Sequence, residues 1–347
     1  MPLKSEAKLS ILFILSGDQN KASSRVRGFW IAEALAHLNI RCTLRWKNSR
    51  LNLLWFAFEM QRYDSIIFQK TYSRYHRWLM GLARIMGKQT YLDLDDAPSK
   101  THSPRTLRNV ESMMRMADGV FVGNRNLFDL VKKHQSKVHL IPSGINLKHY
   151  HAAEEKPTGA PICLGWIGNG AHYKRDLINI LAKPLRVLAA KYPLCFKLVG
   201  ACGEQDLYNE FNSIPGLEID FVDGIEWSSP NEVSKSIQDF DIGLYPLLAN
   251  DFNQYKCGFK ALEYMSTGIP VISSPIAINA EIVSDGINGI LATSDTEWVT
   301  AISQLIENPD KRRKMGQKGR KMVEDSFDVL KIARKLESII KNNRRIN

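Results

Sequence analysis

Short apolar runs that stop at a glycine or a polar residue, each followed by a stretch with helical apolar spacing, recur along this chain and start again past its middle. A strand buried on both faces reads as a near-continuous apolar run, and parallel strands need a crossover between them, usually a helix. The pattern therefore commits the chain to α/β architecture with parallel sheets. In the first half the strand candidates are LSILFIL (9–15), DSIIFQK (64–70), QTYLDLDD (89–96), DGVFVGN (118–124) and VHLIPSG (138–144). RVRGFWIAEALAHLN (25–39) and RNLFDLVKKHQ (125–135) carry helical spacing between them. The polar stretch KHYHAAEEKPTGAP (148–161) reads as a linker. Beyond it ICLGWIGNG (162–170), FKLVGACG (196–203), IDFVD (219–223), FDIGLYPL (240–247) and IPVISSP (269–275) repeat the scheme, and two helices close the chain.

With 347 residues, two domains of ordinary size follow, each with its own core. Charge separates them too. Residues 1–150 hold 24 Lys and Arg against 11 Asp and Glu, a net of +13, whereas residues 151–347 hold 23 against 25, a net of −2. The basic half fits phosphorylated small molecules, an anionic membrane surface or nucleic acid. No reading motif accompanies the charge, so nucleic acid ranks lowest. The five cysteines show no paired metal spacing and fit reduced thiols in a cytosol. No apolar run approaches the roughly 18 residues of a membrane span, and the first residues lack a small-residue cleavage pattern.

Four places carry candidate chemistry. In YKCGFKALEYMSTGIPVISS, Gly258 stands at an expected helix start, where free backbone amides suit an anionic phosphate, and Phe259 follows it. Lys256 and Lys260 are four apart and able to reach one anion. GWIGNGAHYKRDL places Asn169 and Gly170 in a turn after a strand, with Lys174 close behind. NKASSRVRGFW offers Arg25 and Arg27 to an anionic acceptor or a donor phosphate. DLDDAPS puts Asp93 and Asp95 on one side of a strand end and Asp96 on the other, with no His or Cys to complete a metal site. Each has an ordinary reading as well: glycines as turns, lysines in water, aspartates as turn caps.

These motifs resemble the retaining glycosyltransferases of GT-B type, in the large bacterial group 1 / family 4. The resemblance is specific over about 162–328, looser over 117–150 and weak before that. It implies two Rossmann-like domains facing across a cleft: an acceptor-side domain at 1–152, a nucleotide-sugar donor domain at 160–328, and a last helix, about 329–347, that packs back onto the first. It implies a UDP- or GDP-linked sugar as donor, a glycan or lipid-linked acceptor, and no catalytic metal. Carried over residue by residue, Glu263 accepts hydrogen bonds from the nucleotide ribose, for which a carboxylate offers only acceptors. Lys174 contacts the diphosphate, with Lys260 beside it, in the catalytic role of stabilising the departing charge. Donor binding then falls to Asn169, Gly170, Lys174, Lys256, Gly258, Phe259, Lys260 and Glu263, and acceptor binding to Arg25, Arg27 and Asp95, with Asp95 positioning a hydroxyl. Two positions depart from the family pattern. Tyr255 replaces a carboxylate that often contacts the donor sugar, and Asn169 replaces an arginine.

YSRYHRWLMGLARIMGKQ (72–89) adds Arg74, Arg77, Arg84 and Lys88 interleaved with Trp78, Leu82 and Ile85, and no acid. At helical spacing this is a basic amphipathic segment able to lie on an anionic bilayer, or a sheet-covering helix with its charges in water. The expected protein is thus a cytoplasmic transferase of cell-surface polysaccharide or glycolipid synthesis, peripheral on the inner face of the plasma membrane. The competing expectations are a non-catalytic nucleotide-sugar-binding or scaffold subunit of a glycan-assembly complex, and a basic membrane- or nucleic-acid-binding protein of similar fold.

Overall fold

The structure, a computed structural model, describes residues 9–46, 53–98, 102–154 and 161–343. The chain divides into two units, Met1–Gly144 with Val329–Asn347, and Ile145–Asp328.

Unit one alternates β1 (Ser10–Leu15), α1 (Ala22–Ser24), α2 (Trp30–His37), β2 (Arg41–Arg45), α3 (Leu53–Met60), β3 (Ser65–Gln69), α4 (Arg74–Ile85), β4 (Gln89–Leu94), α5 (Pro104–Met116), β5 (Gly119–Val122), α6 (Arg125–Lys132) and β6 (Val138–Leu140). The described strands form one parallel sheet in the order β2-β1-β3-β4-β5-β6. Every residue of β1, β3, β4 and β5 is buried, which is why β1, β3 and β5 read as near-continuous rather than alternating apolar runs, while β4 also buries Gln89, Thr90 and Asp93. The edge strand β2 has no fully buried residue. Its sequence RCTLR carries no apolar run, and it was legible only as charge.

Unit two follows with β7 (Ile162–Ile167), α7 (Gly170–Ala189), β8 (Leu194–Val199), α8 (Gln205–Asn212), β9 (Leu217–Val222), α9 (Pro230–Gln238), β10 (Ile242–Tyr245), α10 (Phe259–Ser266), β11 (Val271–Ser273), α11 (Asn279–Ile282), β12 (Gly289–Leu291), α12 (Asp295–Glu307) and α13 (Pro309–Ser326). Its sheet is also parallel, in the order β12-β11-β10-β7-β8-β9. The final helix, α14 (Val329–Asn342), lies in unit one and packs on α2. A Cβ on Gly144 would come 2.9 Å from the Val329 Cα, so a glycine is required where the start of α14 meets unit one.

Part of the segment read as a linker belongs to unit two. The Ile145 N–H donates to the Phe327 carbonyl at 2.7 Å and the Ala153 N–H to the Thr267 carbonyl at 2.8 Å, while Tyr150 is buried. Residues 155–160 of that stretch lie outside the described residues.

Strand order determines where each sheet can bind. In unit two the chain runs outward from β7 to β8 and β9, then returns to the other flank of β7 with β10. Right-handed crossovers put the two sets of helices on opposite faces, which opens a crevice at the carboxyl ends of β7 and β10. By the same rule, unit one has its switch point at the carboxyl ends of β1 and β3.

Candidate active site

Lys260 lies over the switch point of unit two. From the first turn of α10 its Nζ sits 5.4 Å from the ring centre of Trp166, near the end of β7, and 5.5 Å from that of Tyr245, the last residue of β10. Between them lies Tyr173 on α7, whose ring centre is 3.9 Å from Lys260 Nζ and 4.7 Å from Lys256 Nζ. Lys256 also covers the Phe252 ring, at 4.3 Å. Two ammonium groups thus share one aromatic box, where the ring quadrupoles attract them. Gly168 leaves room for this packing, since a Cβ there would stand 2.5 Å from Lys260 Cε.

The loop that carries Lys256 is fixed by Asp176 on α7. Its Oδ1 accepts from the Leu248 N–H at 2.7 Å and from Asn253 Nδ2 at 2.8 Å. Gly258 follows with φ 63°, a left-handed conformation that glycine adopts without strain, and ends the loop at the start of α10. A side chain at this position would also run into Ile278 and Ile282. Phe259, half-buried, begins the helix. One turn on, Glu263 is buried, and the Tyr150 hydroxyl donates to its Oε1 at 2.8 Å. Tyr255 ends a short 3-10 turn, half-buried, just before Lys256.

Asn169, Gly170 and Lys174 take other parts. Asn169 caps α7, its Oδ1 accepting the His172 N–H at 3.0 Å, which gives the side chain a structural job at the position expected to bind donor. Gly170 donates its N–H to the Gly200 carbonyl at 2.7 Å, and a Cβ on it would lie within 2.8 Å of two backbone oxygens. It holds the β7–α7 turn against the end of β8. Lys174 pairs with Glu204 Oε2 at 3.1 Å and Asp206 Oδ2 at 2.8 Å, and bonding to Asp206 and Glu204 raises its pKa. Consecutive helical residues point about 100° apart, so a lysine beside the inward-facing Tyr173 points elsewhere.

In unit one, the expectation that Arg27 meets a substrate anion is corrected. Arg27 is buried, with Nε 3.0 Å from Asp93 Oδ1, Nη2 2.5 Å from Asp93 Oδ2 and Nη1 2.6 Å from the Ile141 carbonyl. Burial raises the Asp93 carboxyl above its ordinary pKa, with Arg27 opposing that rise. Arg25 is buried as well and donates to the Gln19 carbonyl at 2.9 Å, which closes the loop after β1. Both arginines stand in a π-helical turn, Arg25–Phe29, that leads into α2. The aspartates also divide differently from a strand alternation. β4 stops at Leu94, and Asp95 and Asp96, beyond it, share Lys70 at 3.1 Å and 2.5 Å. Lys70 itself has φ 48°, a strained backbone for a residue with a side chain, directly after β3.

Tyr173, Asp176, Tyr150 and Lys70 were not singled out from sequence. Tyr173 could have been found, because Tyr173, Leu177, Leu181, Leu185 and Leu188 form the buried stripe of α7 and its first member reaches the strand ends. Tyr150 could not, because a polar neighbourhood hides it. Among the described residues, no group of three or more His, Cys, Asp or Glu side chains is placed to hold a metal ion, and no helix is long and apolar enough to cross a membrane.

Comparison with known proteins agrees with this architecture. Residues 161–308 match the family described as glycosyl transferases group 1. Spore coat protein SA of Bacillus subtilis (strain 168) is 23% identical over 233 residues, 60% of this chain and 60% of that protein's length. Sucrose-phosphate synthase from Thermosynechococcus elongatus superposes with a TM-score of 0.72 at 16% identity, covering 97% of this chain and 99% of that one. Anabaena HepE, solved in complex with UDP-glucose, gives 0.71 at 17% identity over 96% of this chain and 100% of its own. Residues 161–308, within the second unit, are thus similar to the group 1 glycosyltransferases, and the chain as a whole shares the fold of these solved structures.

Proposed function

We propose that this protein transfers a sugar from a nucleoside-diphosphate sugar, with retention at the anomeric carbon, to a glycan or lipid-linked acceptor. The observation that carries the reading is the pair Lys256 and Lys260, gathered in an aromatic box at the carboxyl ends of β7 and β10. Two ammonium groups beside the first amides of α10 suit a diphosphate, and buried Glu263 on the same helix suits the ribose diol. In the reaction the bond between the anomeric carbon and the diphosphate oxygen breaks. The acceptor oxygen forms its bond to that carbon, and the acceptor proton passes to the departing diphosphate. Lys260 and Lys256 stabilise the charge that grows on the leaving group, the usual largest contribution to such a step. Asp95, held by Lys70, positions the acceptor hydroxyl. HepE, bound to UDP-glucose in its own structure, supports trying uridine donors first.

The acceptor side carries a further expectation. On α4 the exposed stripe holds Arg74, Trp78 and Ile85, and on α3 Trp55 and Phe58 are half or more exposed. Such an apolar face rimmed by arginines suits an anionic bilayer and a lipid-linked acceptor. A panel of UDP- and GDP-sugars, with binding followed by calorimetry and products by mass spectrometry, tests the reading. Absence of nucleotide binding and of turnover across the panel sinks it. Binding without transfer to any lipid or glycan acceptor favours a non-catalytic subunit instead, a reading that the commitment of Lys174 to Glu204 and Asp206 supports.

A further inference from the structure

The Tyr173 phenol is buried between the two lysines that the donor reading assigns to the diphosphate. A cation–ring contact alone does not need a hydroxyl, and phenylalanine would serve it. Here both ammonium groups, 3.9 Å and 4.7 Å from the ring centre, lie close enough to lower the pKa of the phenol. Two like charges in one box repel, and a polarisable oxygen between them lowers the cost of keeping them there. A bound diphosphate offers the same ammonium groups far stronger acceptors.

Resting on that donor-site reading, we infer that Tyr173 is a positioning residue that holds Lys256 and Lys260 together as their internal partner and yields them to the donor diphosphate, so that phenol and diphosphate compete for the same two lysines. The competition makes donor binding depend on the ionisation of Tyr173. Burial alone pushes the phenol up, but Lys260 and Lys256 more than reverse this and bring it down to about 8. Above that value the phenolate neutralises part of the site's charge. A diphosphate entering then forces the phenol to regain its proton, so binding takes up a proton and weakens as pH rises.

The other groups around the phenol do not compete for this role. Burial drives Tyr245 on β10 and Tyr264 on α10 well up, out of the same range. Asp176, further along α7 and near Lys256, is raised by burial, a rise that the bonds from Leu248 and Asn253 to its Oδ1 oppose. The phosphate groups of the ligand complete their second ionisation near pH 6. The Cys257 thiol, next to Lys256 and in electrostatic contact with Tyr245, also faces the box, and the comparison of wild type with Tyr173→Phe separates its contribution from that of the phenol.

The test is isothermal calorimetry of UDP and GDP against the full chain and Tyr173→Phe, from one pH unit below to one above the Tyr173 midpoint. Each titration is run in two buffers of different ionisation enthalpy. For one proton taken up, wild-type affinity should fall about tenfold across that span, with proton uptake approaching one at its upper end. The phenylalanine variant should lose both the fall and the uptake. Wild-type binding with no proton uptake overturns the inference whatever the variant does, including a variant that fails to fold. An identical pH slope in both proteins overturns it too. If wild type binds neither nucleotide at any pH, the donor-site reading itself fails, a result distinct from binding without proton linkage.

Discussion

Arg27 offers a prediction whose magnitude follows from its contacts. Its three nitrogens are all bonded inside unit one, to both oxygens of Asp93 and to the Ile141 carbonyl, with both side chains of the pair almost fully buried. Arg27→Met strands the Asp93 carboxylate and leaves a buried carbonyl without its donor. Removing one partner of such a pair costs about 3–5 kcal/mol. For a unit of this size each kcal/mol shifts melting by about 2–4 °C, so unit one should melt roughly 6–20 °C lower. Asp93→Leu, which strands the Arg27 guanidinium instead, should cost a similar amount. In the double variant Arg27→Met/Asp93→Leu no charge is stranded, and the remaining loss should shrink to the about 1–3 kcal/mol of the unsatisfied Ile141 carbonyl. Scanning calorimetry and urea unfolding on the four proteins give the cycle. An Arg27→Met protein that melts like wild type while losing acceptor binding would refute the structural assignment and return Arg27 to the substrate.

Three shorter predictions bear on the rest of the account. Gly168→Ala pushes on the far end of the Lys260 side chain and on the Trp166 ring, at a backbone φ of 158° that favours glycine, so it should weaken UDP binding roughly tenfold or more and also lower melting; a melting loss with unchanged affinity contradicts the placement of Lys260. Tyr150→Phe removes the hydroxyl that donates to Glu263, and should weaken binding of UDP but not of pyrophosphate, since only UDP carries a ribose; equal loss for both ligands argues against Glu263 as the ribose acceptor. Burial lowers His76 from 6.5 to about 4. The unfolded chain therefore binds a proton first, and stability present above pH 6.5 is lost as pH falls through about 4, by roughly 2–3 kcal/mol. His76→Gln should flatten that part of the curve in urea titrations, and an unchanged slope would show that another group is responsible.

The sheets were readable because both are buried on two faces. That burial writes β1, β3, β5 and β7 as largely apolar runs, while the edge β2 left only charges to see. Within unit two, spacing brought Lys256, Gly258 and Lys260 to one helix start and the family resemblance added Glu263 one turn on, and the structure has all four at or near the start of α10. Local spacing could not reveal pairing across the fold. Lys174 sits one residue from Tyr173 yet points to Glu204 and Asp206, 30 and 32 positions away. Arg27 and Asp93 are 66 apart in sequence and meet because β1 and β4 lie in one sheet, with the helical turn of Arg27 packed over it. A buried arginine and a ligand-binding arginine have the same sequence signature; only the position of their acceptors distinguishes them.

The central claim is that a nucleoside diphosphate binds at the carboxyl ends of β7 and β10 through Lys260. Its most direct test is the dissociation constant of UDP, and of GDP beside it, for wild type and Lys260→Met. Methionine keeps the length and apolar stem of lysine without its charge, so the fold should persist. Loss of one charge-assisted contact, about 1.5–3 kcal/mol, should weaken nucleotide binding roughly ten- to a hundredfold. Equal dissociation constants for the two proteins, at equal melting temperature, would contradict it.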